Sequence, residues 1–438
     1  MLSAEDNELL TRIGPGTPMG ELQRRYWHPI AGVEEMKDRW TKRVRLLGED
    51  LVLFKDRTGK LGLIGEFCPH RRASMAYGIP TDDGIRCPYH GWKFDGTGSC
   101  LEQPNEPEGS NFKDKVRTAG YPVEALGGMI FAYLGPLPAP LLPRWDGFVG
   151  DRVIRMIGWC PVDCNWLQIM ENSLDPVHTE WLHGKLQEFV EEQQGNTYTI
   201  SRKHLKIDFA EFEYGVYKRR LLAGSSEDSD DWKVGHPVLF PNILAVGSGG
   251  GDLWKMHAYQ MRVPVDDTHS MHYWYHAYEA PKGVNVPQHL LDTVPIYEMP
   301  KRDESGEYTL DVIDVQDVMA WETQGPIAKR HLEKLGTTDK GVILFRNIIK
   351  RELAKMERGE DPMGVIRDPA KNVCIEFPLE RNKAHFLDGF ASLLRRSHGR
   401  YSPIADELTA VFAAYNDEKL KKLPPFPAEK QPAGASGD

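Results

Sequence analysis

Two short loops, Cys68-Pro-His70 and Cys87-Pro-Tyr-His90-Gly-Trp92, constrain this chain more than any other feature. Each offers one thiolate and one imidazole. Four such ligands can grip a tetrahedral zinc ion, or an iron–sulfur cluster in which the cysteines hold one iron and the histidines the other. Zinc fingers and ribbons usually use Cys-x-x-Cys pairs or place a His pair on a helix. Here each loop supplies one of each and is studded with Pro or Gly, a division that suits two loop tips closing over a [2Fe–2S] cluster.

The rest of the chain bounds the choice. Its 438 residues are enough for two or three domains, and 40% hydrophobic with 27% charged residues is ordinary for a globular protein with a sizeable core. A net charge of −10 argues against nucleic-acid binding, which needs clustered Lys and Arg. The most apolar segment, from Gly127 to Pro143, is cut by four prolines, so no run approaches the roughly 20 residues that span a bilayer. The start MLSAEDNELL is acidic where a signal peptide is basic then apolar, and the six cysteines form no regular framework. A cytoplasmic protein is expected.

Residues 1–40 read as an N-terminal helical segment, with two short helices either side of Gly14-Pro-Gly16. From residue 41 to 135 apolar alternation and turns at Asp56-Arg-Thr-Gly59 and Lys93-Phe-Asp-Gly-Thr-Gly98 predict a small all-β domain carrying both loops. Residues 136–149 form a stiff Pro-rich linker. Residues 150–420 form a second domain, with an interrupted helix at 163–184, strands at about 197–222, 238–247, 254–265 and 270–280, and helices over 311–335 and 340–358. Residues 421–438 lack apolar periodicity and are expected to be disordered.

The second domain holds its own candidate ligands. Asp175-Pro-Val-His178 is followed by His183, and an acid-rich stretch downstream offers Asp311, Asp314, Asp317 and Glu322. Two neutral imidazoles and one carboxylate on one face leave three adjacent positions of an octahedral iron(II) open. Five residues on an ideal α-helix turn through about 140°, so His178 and His183 share an ion only if a π-bulge or helix end falls between them.

The first pair of loops resembles the Rieske cluster signature, without the extra loop cysteines of respiratory-chain Rieske proteins. Asn165, Glu171, Asn172, Asp175, His178 and His183 resemble the mononuclear-iron motif of the Rieske non-heme iron oxygenases, and the two motifs recur in family order. That resemblance implies an α+β chain: an all-β Rieske [2Fe–2S] domain, then a catalytic domain whose antiparallel sheet wraps around a long helix. It implies Cys68, His70, Cys87 and His90 as cluster ligands, and His178, His183 and Asp317 as ligands of a mononuclear non-heme Fe(II), with Asp314 in reserve. Asp317 precedes Glu322 in an Asp-x4-Glu-x-Gln pattern like that of the family's ligand helix. Asp175 would bridge His178 to His90 of a neighbouring subunit, which requires a ring-shaped homotrimer or a hexamer. Asn165 would lie near the iron, against a plain hydrogen-bonding role.

The segment from Asn7 to Gly32 looks like the phthalate dioxygenase branch, which uses catalytic subunits alone and includes dehydrodivanillate O-demethylase-like proteins. The resemblance implies an oxygenase component that takes electrons from NAD(P)H through a reductase or ferredoxin and uses O2 to hydroxylate an aromatic, carboxylated substrate. Ring dihydroxylation is the first expectation and oxidative O-demethylation the second. A Rieske electron carrier without oxygenase chemistry and a zinc-stabilised scaffold are the competing classes. Arg219, Arg220 and Arg262 are candidates to meet a substrate carboxylate, against surface ion pairs. His257, His272 and His276 lie on predicted strands, as packed histidines or pocket lining, and Cys100, Cys160, Cys164 and Cys374 read as small neutral residues.

Overall fold

The computed structural model describes residues 2–249, 254–380 and 389–416. The tail expected to be disordered lies outside them. Ser3 accepts a hydrogen bond from the Asp6 backbone N–H to cap the helix Ala4–Thr11, and Thr17 caps Pro18–Gln23 with Pro18 in its first turn. The helical reading of residues 1–40 then fails at Trp27–Gly32, a strand paired antiparallel with Met129–Tyr133. All six of its residues are buried, so no polar alternation announces it.

Residues 41–133 build three small sheets, the first of which includes the Trp27–Gly32 strand. One four-stranded sheet contains Leu61–Gly65, the strand that leads into the first loop; the other folds the second loop between Gly84–Arg86 and Lys93–Phe94. The Pro-rich stretch is a strap against the C-terminal part, because the Leu141 N–H donates to Ile366 O and the Asp146 N–H to Ile375 O.

The second half carries an eight-stranded sheet in the order His204–Phe212, Gly215–Leu222, His236–Leu239, Ile243–Gly249, Lys255–Asp266, His269–Glu279, Val153–Val162, Ile296–Glu298. Its pairings are antiparallel except the last, which is parallel. The helix Ile313–Glu322 packs on one face through Val315, Val318 and Trp321 against Cys160, Val162 and Trp274. It is shorter than the helix expected over 311–335, because Gly325 at φ +89° and Pro326 end it.

The interrupted helix is three pieces. Trp166–Ser173 is capped by Asn165, the chain breaks at Asp175-Pro176, and His178–Glu180 runs through a π-turn at Trp181–Lys185 into Leu186–Gln193. Its first piece is anchored by Glu171, which accepts hydrogen bonds from the fully buried Arg330 and from Arg346. Burial works against the Glu171 carboxylate, but the two guanidiniums outweigh it and hold its pKa below the usual 4.5. Its contribution is therefore complete above that value and is lost as pH falls through the folded one. Glu171→Gln leaves two buried cations short of a partner and should cost about 3–5 kcal/mol in urea unfolding at neutral pH. A loss below about 1 kcal/mol would show that the network carries little stability.

Candidate metal centres

Both cysteine loops close in the same way. The Cys68 N–H donates to Ala73 O and the Cys68 carbonyl accepts from the Arg72 N–H; the Cys87 N–H donates to Trp92 O and its carbonyl accepts from the Gly91 N–H. Each turn needs a left-handed residue, Arg72 at φ +61° and Gly91 at φ +76°. A Cβ on Gly91 would also stand 2.9 Å from Pro104 Cγ. The turns bury the two thiols and leave His70 exposed and His90 half-buried, with their rings 4.5 Å apart. Trp92 stacks on His70 at 4.5 Å and 9°.

Burial pushes the Cys68 thiol up to about 11, with Cys87 beside it adding to the rise. A bound cation reverses that penalty by holding thiolate. The four residues do not make a single-ion cage. Among the described residues the group of three or more His, Cys, Asp or Glu ligand atoms within 4.8 Å of one another is elsewhere. One tetrahedral zinc would draw its ligand atoms to roughly 3.5–4 Å of one another. Buried sulfurs on one side and outward imidazoles on the other fit a two-iron cluster.

The compact group is His178, His183 and Asp317. Asp317 Oδ1 lies 3.2 Å from His183 Nε2 and 3.8 Å from His178 Nε2, and the two rings are 5.2 Å apart at 78°. The π-turn is what brings His183 round: the Leu186 N–H reaches back five residues to Trp181 O, so the chain turns less per residue than an α-helix does.

Hydrogen bonds around the group fix which atoms face inward. Gln316 donates through Nε2 to Gln187 Oε1 at 2.7 Å and to Leu310 O at 2.8 Å, so its Oε1 is the atom 3.0 Å from His183 Nδ1. His183 therefore donates from Nδ1 and keeps the Nε2 lone pair for the centre. Asn172 Nδ2 donates to Asp317 Oδ1 at 3.2 Å. Burial alone would raise the Asp317 pKa, but His183, His178 and Arg262 more than offset it and keep the carboxylate ionised. Two imidazoles and an ionised carboxylate are a donor set that iron(II) accepts. Gln316→Leu should weaken iron retention at this group about 10- to 100-fold, measured by competition with a chelator. Unchanged retention would mean that the Gln316 contact does not orient His183.

Asp175 stands beside this group, with Oδ2 3.7 Å from His178 Nδ1 and Oδ1 accepting from the Val177 N–H. His178 Nδ1 has no hydrogen-bond partner. No hydrogen bond, ion pair or ring contact among the described residues links His70 or His90 to Asp175 or His178.

Other expected site residues have different work. Asn165 accepts from the Leu167 N–H and donates to Thr11 O and Asp267 O, so it is a buried cap rather than a group beside the metal. It lies seven residues before Asn172, roughly 10 Å along the helix axis. Asp314, the reserve ligand, accepts from the His398 N–H and is pushed up to about 7 by burial. Asp311 pairs with Arg400, and Glu322 binds Lys301, Tyr308 and the Asp163 N–H. Arg220 holds Asp231 and Thr179, whereas Arg219 sits on the opposite side of its strand. Cys100, Cys160 and Cys164 are buried and Cys374 is exposed. Sequence reasoning missed Gln316, Gln187 and Lys218; for Lys218, the alternation Val216, Lys218, Arg220 was the available signal.

Comparison with known proteins identifies the family. Residues 26–122 match the Rieske [2Fe–2S] domain, and residues 298–376 match the family described as LigXa C-terminal domain like. The chain is 44% identical to the 5,5'-dehydrodivanillate O-demethylase oxygenase subunit of a Sphingobium species, over 86% of this chain and 87% of that one. It is 32% identical to the phthalate 4,5-dioxygenase oxygenase subunit of Pseudomonas putida, over 83% and 89%. The solved structure of NdmA from Pseudomonas putida CBB5 superposes with a TM-score of 0.58 at 19% identity, over 82% of this chain and 97% of NdmA, which is a likeness of fold. With its cluster loops, its second ligand group and these relatives, the chain belongs to the Rieske non-heme iron oxygenases, as an oxygenase subunit.

Proposed function

We propose that this oxygenase subunit hydroxylates an aromatic acid at the His178, His183 and Asp317 group, using electrons received by the cluster at Cys68, His70, Cys87 and His90. The carrying observation is that one chain holds both a set of cluster loops and a compact group of two imidazoles and one ionised carboxylate. Subunits of this family work with O2 and a reductase or ferredoxin and are oligomeric. When bound, the cluster supplies one-electron transfer and the mononuclear iron supplies open positions for O2. The protein does the positioning: Gln316 sets the His183 tautomer, Asn172 steadies Asp317, and Asp175 lies against the free nitrogen of His178.

Asp175 is 30% exposed, so its carboxylate can also face a neighbour. We assign it the bridge from His178 to His90 of another copy in a homotrimer or hexamer. A cytoplasmic setting fits the reduced cysteines, and no helix among the described residues is long and apolar enough to cross a membrane.

Two outcomes are open to such a site. Oxidation of a ring edge adds both oxygens of O2 with two electrons and two protons to give a diol. Oxidation of an aryl methyl ether uses the same inputs, and the hydroxylated methyl carbon leaves as formaldehyde with one water and a phenol. The 44% identity to an O-demethylase supports the ether over the ring edge. Turnover with NADH and a reductase across aromatic acids and their methyl ethers, scoring diol and formaldehyde, tests the proposal. Neither product from any aromatic acid would defeat it.

A further inference from the structure

The sheet face covered by the Asp317 helix carries two cations that no acid pairs with among the described residues. Cross-strand register sets their direction. Val216 lies opposite Val238, Val238 opposite Leu244, Leu244 opposite Gln260, and Gln260 opposite Trp274. Directly opposed residues share a face, as do residues two apart on one strand. Lys218 and Arg262 therefore project from the same face as Trp274, whose ring packs with Val315, Val318 and Trp321 of the Asp317 helix.

Both are buried, Lys218 at 6% exposure and Arg262 at 0%. The Lys218 ammonium has no hydrogen-bond or ion-pair partner among the described residues. Arg262 gives two nitrogens to Gln260 O and Oε1, both at 2.7 Å, and its Nε has no partner. His272, opposite Arg262, is buried against Trp274 and Trp321 with neither ring nitrogen hydrogen-bonded. Three other buried guanidiniums differ: Arg220 on the same strand face has Asp231 and Thr179, and Arg330 and Arg346 have Glu171.

Buried charge without a counter-charge is costly. Burial, and then Arg220, pulls Lys218 down to about 7, and burial pulls Arg262 down as well. The carboxylate whose field reaches both is Asp317, which already faces His178 and His183. A metal ion bound at Asp317 would add still more positive charge beside them. What these two cations lack among the described residues is an anion.

We propose that Lys218 and Arg262 form an anion subsite that receives the carboxylate of the aromatic substrate and thereby sets which end of the ring reaches the His178, His183 and Asp317 group. This rests on the oxygenase reading above. An ammonium and a guanidinium on one sheet face, each within reach of the Asp317 field and the first also of the second's, suit a carboxylate, whose two oxygens can each take a charged donor. The neutral, hydrogen-bond-hungry His272 adds a polar contact beside Arg262.

The test is equilibrium calorimetry on the metal-loaded protein with 4-methoxybenzoate and its neutral isostere 4-methoxybenzamide. Wild type should bind the acid at least about 10-fold tighter than the amide, and Lys218→Met and Arg262→Gln should each weaken the acid about 10- to 100-fold while moving the amide less than about 3-fold. Lys218→Arg, which keeps the charge, should retain most of the preference. Lys218→Met should also melt higher than wild type without ligand, because it removes an uncompensated buried charge. Equal binding of acid and amide by wild type, or equal weakening of both by the variants, would overturn the subsite. Iron content and O2-dependent turnover in the same samples separate that result from failure of the oxygenase reading.

Discussion

Asp317→Ala protein should purify with its cluster intact and its third iron gone, and product formation should fall by roughly a thousandfold or more. The reason lies in the small size of the group. Two imidazoles and one carboxylate are all that the chain offers within 4.8 Å among its described residues, and the carboxylate is the one member that stays ionised at any physiological pH. Removing it leaves two imidazoles and no anionic ligand beside the buried cations Lys218 and Arg262, an environment hostile to a divalent ion. The cluster loops lie on small β-sheets of their own and share none of these contacts, so the visible spectrum of the cluster should survive. Iron analysis beside that spectrum checks the claim. Retention of the third iron at wild-type occupancy would move the ligand assignment to another acid.

Asp175→Asn should produce a different defect, with both metals bound and their communication lost. The substitution preserves shape, and an asparagine oxygen can still accept from the Val177 N–H as Asp175 Oδ1 does. What changes is the charge facing His178 Nδ1, a nitrogen with no other partner. If Asp175 carries the bridge between subunits, pre-reduced variant mixed with O2 and substrate should oxidise its cluster at least about 100-fold more slowly than wild type, with product falling in step. Iron and sulfide contents should match wild type. Cluster oxidation at the wild-type rate would remove Asp175 from the electron path.

The two ligand-bearing segments are legible in the sequence, and the reason is local. The cluster loops and the His178/His183 pair are short segments of rare residue types, so their chemistry is written in adjacent letters. The need for a π-bulge or a helix end between His178 and His183 followed from helix geometry alone, and the π-turn at Trp181–Lys185 is the form it takes. Residues whose roles depend on distant parts of the chain were harder. Asn165 reads like a site residue but spends its amide on Thr11 and Asp267, and Glu171 meets arginines more than 150 residues away. The strand at Trp27–Gly32 is buried on every residue and so shows no alternation. Lys218 was hidden beside Arg219 and Arg220, because only the strand register says that Lys218 and Arg220, and not Arg219, lie on the face toward the Asp317 helix.

The account turns on one chain holding two different iron centres. Iron and acid-labile sulfide, measured per chain on anaerobically purified wild-type protein, test it most directly. The account expects about three irons and about two sulfides, with a chelator removing one iron and no sulfide. Two irons with two sulfides, or stoichiometric zinc in place of either, would contradict it.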